Sequence, residues 1–250
     1  MKITLLIILS IYLVMIGLLY LSQRSLLYFP SPAYDHDLDV FQIENEGERI
    51  NVLVLNPNRS NAIIYFGGNA EPVIFNAEPF AHHLTEFTIY LVEYRGYGDS
   101  SGSPTEAGLF SDALAVYDSI KPKHQQISVM GRSLGSGVAT YLASQRSVHK
   151  LALITPFDSI ANVAKKKMPI FPVGLLLKDR YDSAGRASMV SAEVFIAIAE
   201  LDQIVPKEHA FELAAAFKDD QVETQVLSGA DHNNISVHPE FFPALVGFLR

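Results

Sequence analysis

The residues Gly131-Arg132-Ser133-Leu134-Gly135 carry the spacing Gly-x-Ser-x-Gly. That pattern suits a serine set on a sharp turn between a strand and a helix, where glycines two positions away on either side let the two elements close up and leave the hydroxyl exposed. The flanks meet the condition: Gln126 to Met130 is a short apolar run, and Leu134 to Arg146 resumes a helical pattern. A tight packing turn without chemistry would carry the same glycines, so partners decide the matter. A neutral hydroxyl is a weak nucleophile; it needs a base, and the base needs a carboxylate that fixes its tautomer and stabilises its protonated form. Downstream, Asp202 follows the apolar run Val194 to Ala199, and His232 follows the run Glu223 to Leu227 within Ser228-Gly229-Ala230-Asp231-His232-Asn233. Ser133, Asp202 and His232 are the expected nucleophile, acid and base for acyl transfer, with Gly131 and Gly135 as the glycines of the elbow.

Acyl transfer also requires donors aimed at the negative charge that develops on the carbonyl oxygen. The backbone N–H of Leu134, directly after the nucleophile, is one expected donor. The backbone of Asn69, in Gly67-Gly68-Asn69-Ala70-Glu71 after a third apolar run, is the other, although the same residues would also make a plain turn. Asp158 is a rival acid because it too follows an apolar run, but Pro156-Phe157-Asp158-Ser159-Ile160 also reads as the cap of a following helix. His238 and Asp231 read as loop or capping residues, and His82, His83, His124, His149 and His209 as ordinary surface or helix histidines. None of these shows metal-ligand spacing.

The elements that must position these residues follow from the apolar pattern. Short runs rich in β-branched and aromatic residues predict strands at Asp39 to Ile43, Ile50 to Leu55, Ala62 to Phe66, Thr88 to Glu93, Gln126 to Met130, Leu151 to Ile154, Val194 to Ala199 and Glu223 to Leu227. The first two are close enough for a hairpin. Helix-length segments separate the later ones, at Pro72 to Glu86, Thr105 to Ser119, Leu134 to Arg146 and Pro206 to Lys218, with a last helix near Pro239 to Leu249. Strands alternating with helices imply an α/β domain, here an eight-stranded, mostly parallel sheet with helices on both faces. Ligands of such sheets bind beyond the carboxyl ends of the strands, where Ser133, Asp202 and His232 all fall.

The formal charge of −8 and a pI near 5.4 disfavour a nucleic-acid partner, which needs a clustered positive field; the one dense basic cluster, Lys165-Lys166-Lys167, is too short to supply it. With no cysteine there is no disulfide framework. Ile3 to Leu21 is uncharged and mostly apolar, about 28 Å of helix and close to the thickness of a bilayer's hydrocarbon core. A cleavable signal would have a shorter apolar stretch and small residues at its end, and these are not found before Arg24. The expected organisation is an N-terminal single-pass anchor over residues 1–24, a connector over 25–38, and one catalytic domain over 39–250. Lys2 and the free amino group before the span, against Arg24 as the sole basic residue just after it with Asp35, Asp37 and Asp39 following, favour a domain on the non-cytoplasmic side by the positive-inside bias.

Taken together, the N-terminal span, the connector Gln23-Arg24-Ser25-Leu26-Leu27-Tyr28-Phe29-Pro30-Ser31-Pro32, the segment Tyr94-Arg95-Gly96-Tyr97-Gly98-Asp99-Ser100-Ser101-Gly102-Ser103-Pro104-Thr105-Glu106, the Gly131 to Gly135 elbow and the Asp202 and His232 loops make the chain resemble the membrane-anchored α/β-hydrolases of the BEM46-like group. The resemblance covers nearly the whole chain. It implies an α/β-hydrolase fold and an ester or thioester hydrolase that acts on a small-molecule or lipid-like acyl substrate through Ser133, Asp202 and His232, with no metal and no organic cofactor. Many relatives in that group have His-Gly-Asn where this chain has Gly67-Gly68-Asn69, a change that keeps a backbone donor and loses any contact made by the histidine.

The segment Asp158 to Ala187 is the expected cap. Its stretch Met168-Pro169-Ile170-Phe171-Pro172-Val173-Gly174-Leu175-Leu176-Leu177 is expected to line an acyl pocket while Lys165-Lys166-Lys167 face anionic lipid; a solvated lysine run beside ordinary core residues is the plainer alternative. A peptidase of the same fold and a noncatalytic binding module are the competing functions, and the second is expected to lack a member of the triad.

Overall fold

A computed structural model of the chain describes residues 1–218 and 220–250. Among them, eight strands form one sheet: β1 (Asp39–Asn45), β2 (Glu48–Leu55), β3 (Asn61–Phe66), β4 (Phe87–Val92), β5 (Gln126–Arg132), β6 (Lys150–Ile154), β7 (Glu193–Ala199) and β8 (Val222–Leu227). Their spatial order is β1-β2-β4-β3-β5-β6-β7-β8. Only the β1–β2 and β2–β4 pairs are antiparallel; from β4 to β8 every pairing is parallel. The β1–β2 hairpin turns at Glu46-Gly47, both with positive φ (52° and 80°), which is what a two-residue hairpin connection demands.

The helices are α1 (Lys2–Leu27), α2 (Ala77–His83), α3 (Glu106–Ile120), α4 (Leu134–Gln145), α5 (Ile160–Lys167), α6 (Val173–Leu176), α7 (Ala184–Ala187), α8 (Lys207–Ala214) and α9 (Phe241–Leu249). Alternation along the strands feeds two cores. Val52, Ile64, Val129, Leu151 and Leu153 pack with α3, α4 and α8, while Leu53, Ile63, Met130, Ala152 and Ile154 pack with α2 and α9 on the opposite face. Successive strand residues point to opposite faces, and both faces are covered, so the central strands read as unbroken apolar runs. Each fully buried Leu or Ile contributes on the order of 1.5–3 kcal/mol relative to exposure.

The predicted strands lie where the apolar runs placed them, with ends moved by two residues at most. One difference matters: β5 runs on past Met130 through Gly131 and Arg132, which brings the strand up to Ser133 itself. The helix expected over Pro72 to Glu86 is a 3-10 turn, Val73–Asn76, followed by the shorter α2. Pro79 explains the break, because a residue without an N–H fits only the first turn of a helix, so α2 begins at Ala77. The helix α1 is long and apolar enough to cross a membrane and none of its residues is buried. It continues to Leu27 before the extended segment that starts at Tyr28. Between β6 and β7 lie α5, α6 and α7; α5 and α6 line the space over Ser133 as a cap, whereas α7, at the end of the segment expected as cap, packs into the main core through Ala184 and Ala187.

Candidate active site

Ser133 sits on the turn between β5 and α4 with φ 49° and ψ −115°, a conformation that a residue with a side chain adopts only at some cost. Its neighbours impose the turn. A Cβ on Gly135 would collide with the carbonyl oxygen of Phe66, and a Cβ on Gly131 would collide with the carbonyl of Gly135, so glycine at both positions is a steric requirement. The tight turn places the partly exposed Ser133 hydroxyl above the sheet edge at the amino end of α4. Leu134 is the first residue of α4, and its N–H belongs to the first turn of the helix, where backbone amides have no intrahelical acceptor.

The structure brings the three sequence-predicted residues together. His232 Nε2 lies 2.9 Å from Ser133 Oγ, and His232 Nδ1 lies 2.6 Å from Asp202 Oδ2. Asp202 and His232 are both buried, at 9% and 7% exposure. The second carboxylate oxygen of Asp202 accepts the N–H groups of Ile204 (2.9 Å) and Val205 (2.8 Å), which fixes the carboxylate. Asp231, expected as a loop residue, holds the His232 loop by accepting the N–H groups of Asn233 and Asn234 at 2.8 and 2.9 Å.

Asp158, the rival acid, faces elsewhere. Its carboxylate meets His209 Nδ1 at 2.7 Å and accepts the Asn162 side chain. The cap of α5 is the adjacent Ser159, which accepts the Asn162 N–H at 3.0 Å. His209 lies in α8, as a helix histidine, but it is only 1% exposed. Asp158, His209 and the exposed Glu212 offer ligand atoms within 4.8 Å of one another, though the Nδ1–Oδ1 separation is that of a direct hydrogen bond.

Three further features shape the site. Arg132, inside the elbow, reaches Glu71 Oε2 at 3.1 Å and the carbonyl of His232 at 3.0 Å, so one side chain ties the Gly67 to Glu71 loop and the His232 loop to the elbow. Glu71 also accepts the Gly68 N–H at 2.7 Å and the Tyr65 hydroxyl at 2.6 Å. Burial first, and then the Glu71 charge, push the Tyr65 hydroxyl up, so it stays a protonated donor. The backbone of Gly68 passes close to Ser133: a Cβ there would stand 3.7 Å from Ser133 Cβ and 2.9 Å from Glu71 Oε2.

Second, the Asn69 side chain is committed to the root of α1. It donates to the Leu27 carbonyl at 2.6 Å, while its oxygen accepts the Phe29 N–H at 3.0 Å and the Tyr97 hydroxyl at 2.8 Å. Burial pushes the Tyr97 hydroxyl up to about 12, which keeps it a donor. Third, a cavity of about 430 Å³ opens over Ser133, Leu134 and Asn69. Met168, Phe171 and Leu176 of the cap line it, so the apolar stretch of the cap does face the site; Lys167 lines it as well, and of the three lysines only Lys165 and Lys166 lie outside the cavity wall, exposed.

The profile of the family described as alpha/beta hydrolase fold matches residues 63–174. Over 236 residues the chain is 33% identical to an uncharacterized protein of Mycobacterium tuberculosis, the match covering 88% of this chain and 83% of that one. It is 25% identical over 273 residues to the protein bem46 of Schizosaccharomyces pombe, covering 96% of this chain and 90% of bem46. Among solved structures, an esterase of Pyrococcus furiosus superposes with a TM-score of 0.69 at 18% identity, covering 89% of this chain and 98% of the esterase, a likeness of fold. By its sheet order, its elbow and its relatives, the chain belongs to the α/β-hydrolase family.

Proposed function

We propose that this protein is a membrane-anchored serine hydrolase of the BEM46-like group that cleaves acyl esters or thioesters. The observation that carries the reading is the unbroken hydrogen-bond chain Ser133 Oγ–His232 Nε2 and His232 Nδ1–Asp202 Oδ2, at 2.9 and 2.6 Å. His232 takes the Ser133 proton as Oγ attacks the acyl carbonyl, and Asp202 stabilises the imidazolium that forms. The backbone N–H groups of Leu134 and Asn69 receive the oxyanion of the tetrahedral intermediate. His232 then passes its proton to the departing alcohol or thiol and leaves an acyl group on Ser133. A water molecule, deprotonated by His232, releases the acid and restores the hydroxyl. The apolar cavity over Ser133 supports an acyl rather than an aminoacyl substrate.

The helix α1 is the single-pass anchor of this reading. Lys2 and the amino terminus before the span, against Arg24 alone in the residues just after it, support a domain on the non-cytoplasmic side.

A fluorophosphonate probe tests the nucleophile on the full-length protein in detergent. Labelling is expected for the unaltered chain and is expected to vanish in Ser133→Ala and His232→Ala. A folded protein that takes no label, or labels equally in Ser133→Ala, would remove Ser133 from this role. Faster turnover of aminoacyl amides than of acyl esters would transfer the protein to the peptidases.

A further inference from the structure

We propose that the carboxyl-terminal turns of α1 form one wall of the acyl-binding site, so that the anchor helix selects chain length as well as holding the protein to the membrane. The proposal rests on the esterase reading above and names the residues that set its specificity.

The helix is not a free tether. Most of its side chains are exposed, but Tyr12, Ile16, Leu19, Gln23 and Leu27 are partly covered. Steps of three and four residues put these five on one helix face. What covers that face is the cap. The Tyr12 hydroxyl donates to the Ile170 carbonyl at 2.7 Å, and its ring stacks on Phe171 with centroids 5.9 Å apart. The Gln23 amide donates to the Leu176 carbonyl at 3.2 Å and accepts the Lys178 N–H at 2.7 Å. Arg24 closes on Asp179, and the Asn69 side chain grips the Leu27 carbonyl.

A helix needed only for attachment would require apolar bulk. Polar side chains inside an apolar span are costly in hydrocarbon unless paired, because no water is present to satisfy them or the loop carbonyls they meet. Tyr12 and Gln23 are placed to satisfy cap groups, and that fixes the rotation of α1 about its own axis.

With this rotation, Leu19, Gln23, Leu26 and Leu27 line the same cavity that holds Ser133 and Leu134. The cavity has a direction. Asn69, beside Ser133 in the cavity wall, binds α1 at Leu27, whereas the cap residue Phe171 stacks on Tyr12, further along the helix. From Leu27 to Leu19 the wall runs about 12 Å at the helical rise. An acyl chain whose carbonyl sits at Ser133 would therefore lie along α1 with its tail directed toward the amino-terminal half of the span, the direction of the bilayer interior. Leu26, Phe29 and Ile204 both line the cavity and remain exposed, which gives it an apolar mouth.

The test uses the full-length protein in phosphatidylcholine vesicles, with p-nitrophenyl butyrate and p-nitrophenyl dodecanoate as substrates. Leu19→Trp, which fills the wall, is expected to lower the dodecanoate-to-butyrate ratio of kcat/KM tenfold or more. Leu18→Trp, one residue away on the exposed side of the helix, is expected to keep the wild-type ratio within twofold. Leu19→Ala is expected to shift preference the other way and raise the ratio for hexadecanoate over dodecanoate at least threefold. An unchanged ratio in both Leu19 variants, with wild-type turnover present, overturns the helix-wall proposal and leaves the esterase reading standing. A wild type that hydrolyses neither ester faster than Ser133→Ala overturns the esterase reading and this proposal with it.

Discussion

Asp202 and Asp158 lie in loops that follow neighbouring parallel strands, β7 and β6, and each is paired with a buried histidine. Only the Asp202 pair continues to a serine hydroxyl. Asp202→Asn is expected to lower kcat about 10⁴-fold, because the amide holds the imidazole in the wrong tautomer. Asp158→Asn is expected to keep kcat near wild type and to destabilise the fold by about 1–3 kcal/mol, the range for weakening a buried hydrogen-bonded group, read as a lowered Tm. Loss of activity in Asp158→Asn at unchanged stability would reverse the two roles. The elbow was legible in the sequence because sterics leave no choice of residue type at Gly131 and Gly135, where any Cβ meets backbone. The choice of acid was less legible. Both aspartates satisfy the same local rule, an Asp beyond an apolar run, and only tertiary placement separates the one facing His232 from the one facing His209.

At the scale of elements, the loops after β3, β5 and β8 must stay in register for the site to exist, and Arg132 is the side chain that joins them. Its bonds go to Glu71 and to the carbonyls of His232 and Asn233, so in the proposed mechanism it is a positioning residue. Arg132→Ala is expected to lower kcat by up to about 10²-fold, the cost of a displacement near 1 Å in a reacting constellation, with KM close to wild type. Arg132→Lys keeps the charge without the planar fork, so it should recover only part of the loss. A variant that is merely less stable, with full kcat in its folded fraction, would reduce Arg132 to a structural contact. Nothing local announces this residue. Its partner Glu71 is 61 positions away, and the contact exists only because β3 and β5 are spatial neighbours. The strands themselves were readable, since burial on both faces demands apolar, β-branched runs; the break at Pro79 shows what a periodicity argument overlooks when a backbone donor is missing.

At the scale of the whole molecule, the apolar span and the folded domain share side-chain contacts from Tyr12 to Leu27. Length and composition made the span legible, whereas its packing on the cap was hidden, because an apolar helix reads alike whether lipid or protein covers one face. This shared seam changes what concentration means for the reaction. On the proposal that α1 spans the bilayer and walls the cavity, the mouth would open beside lipid, and the effective supply would be the number of substrate molecules per unit of membrane area. Adding inert phosphatidylcholine at constant total substrate is expected to slow turnover in proportion to the falling mole fraction of substrate in the vesicles. A rate that ignores this surface dilution and follows bulk molarity would mean that the ester arrives through water. The protein would then behave as a two-dimensional catalyst in name only, fastened to a plane whose contents it does not sample.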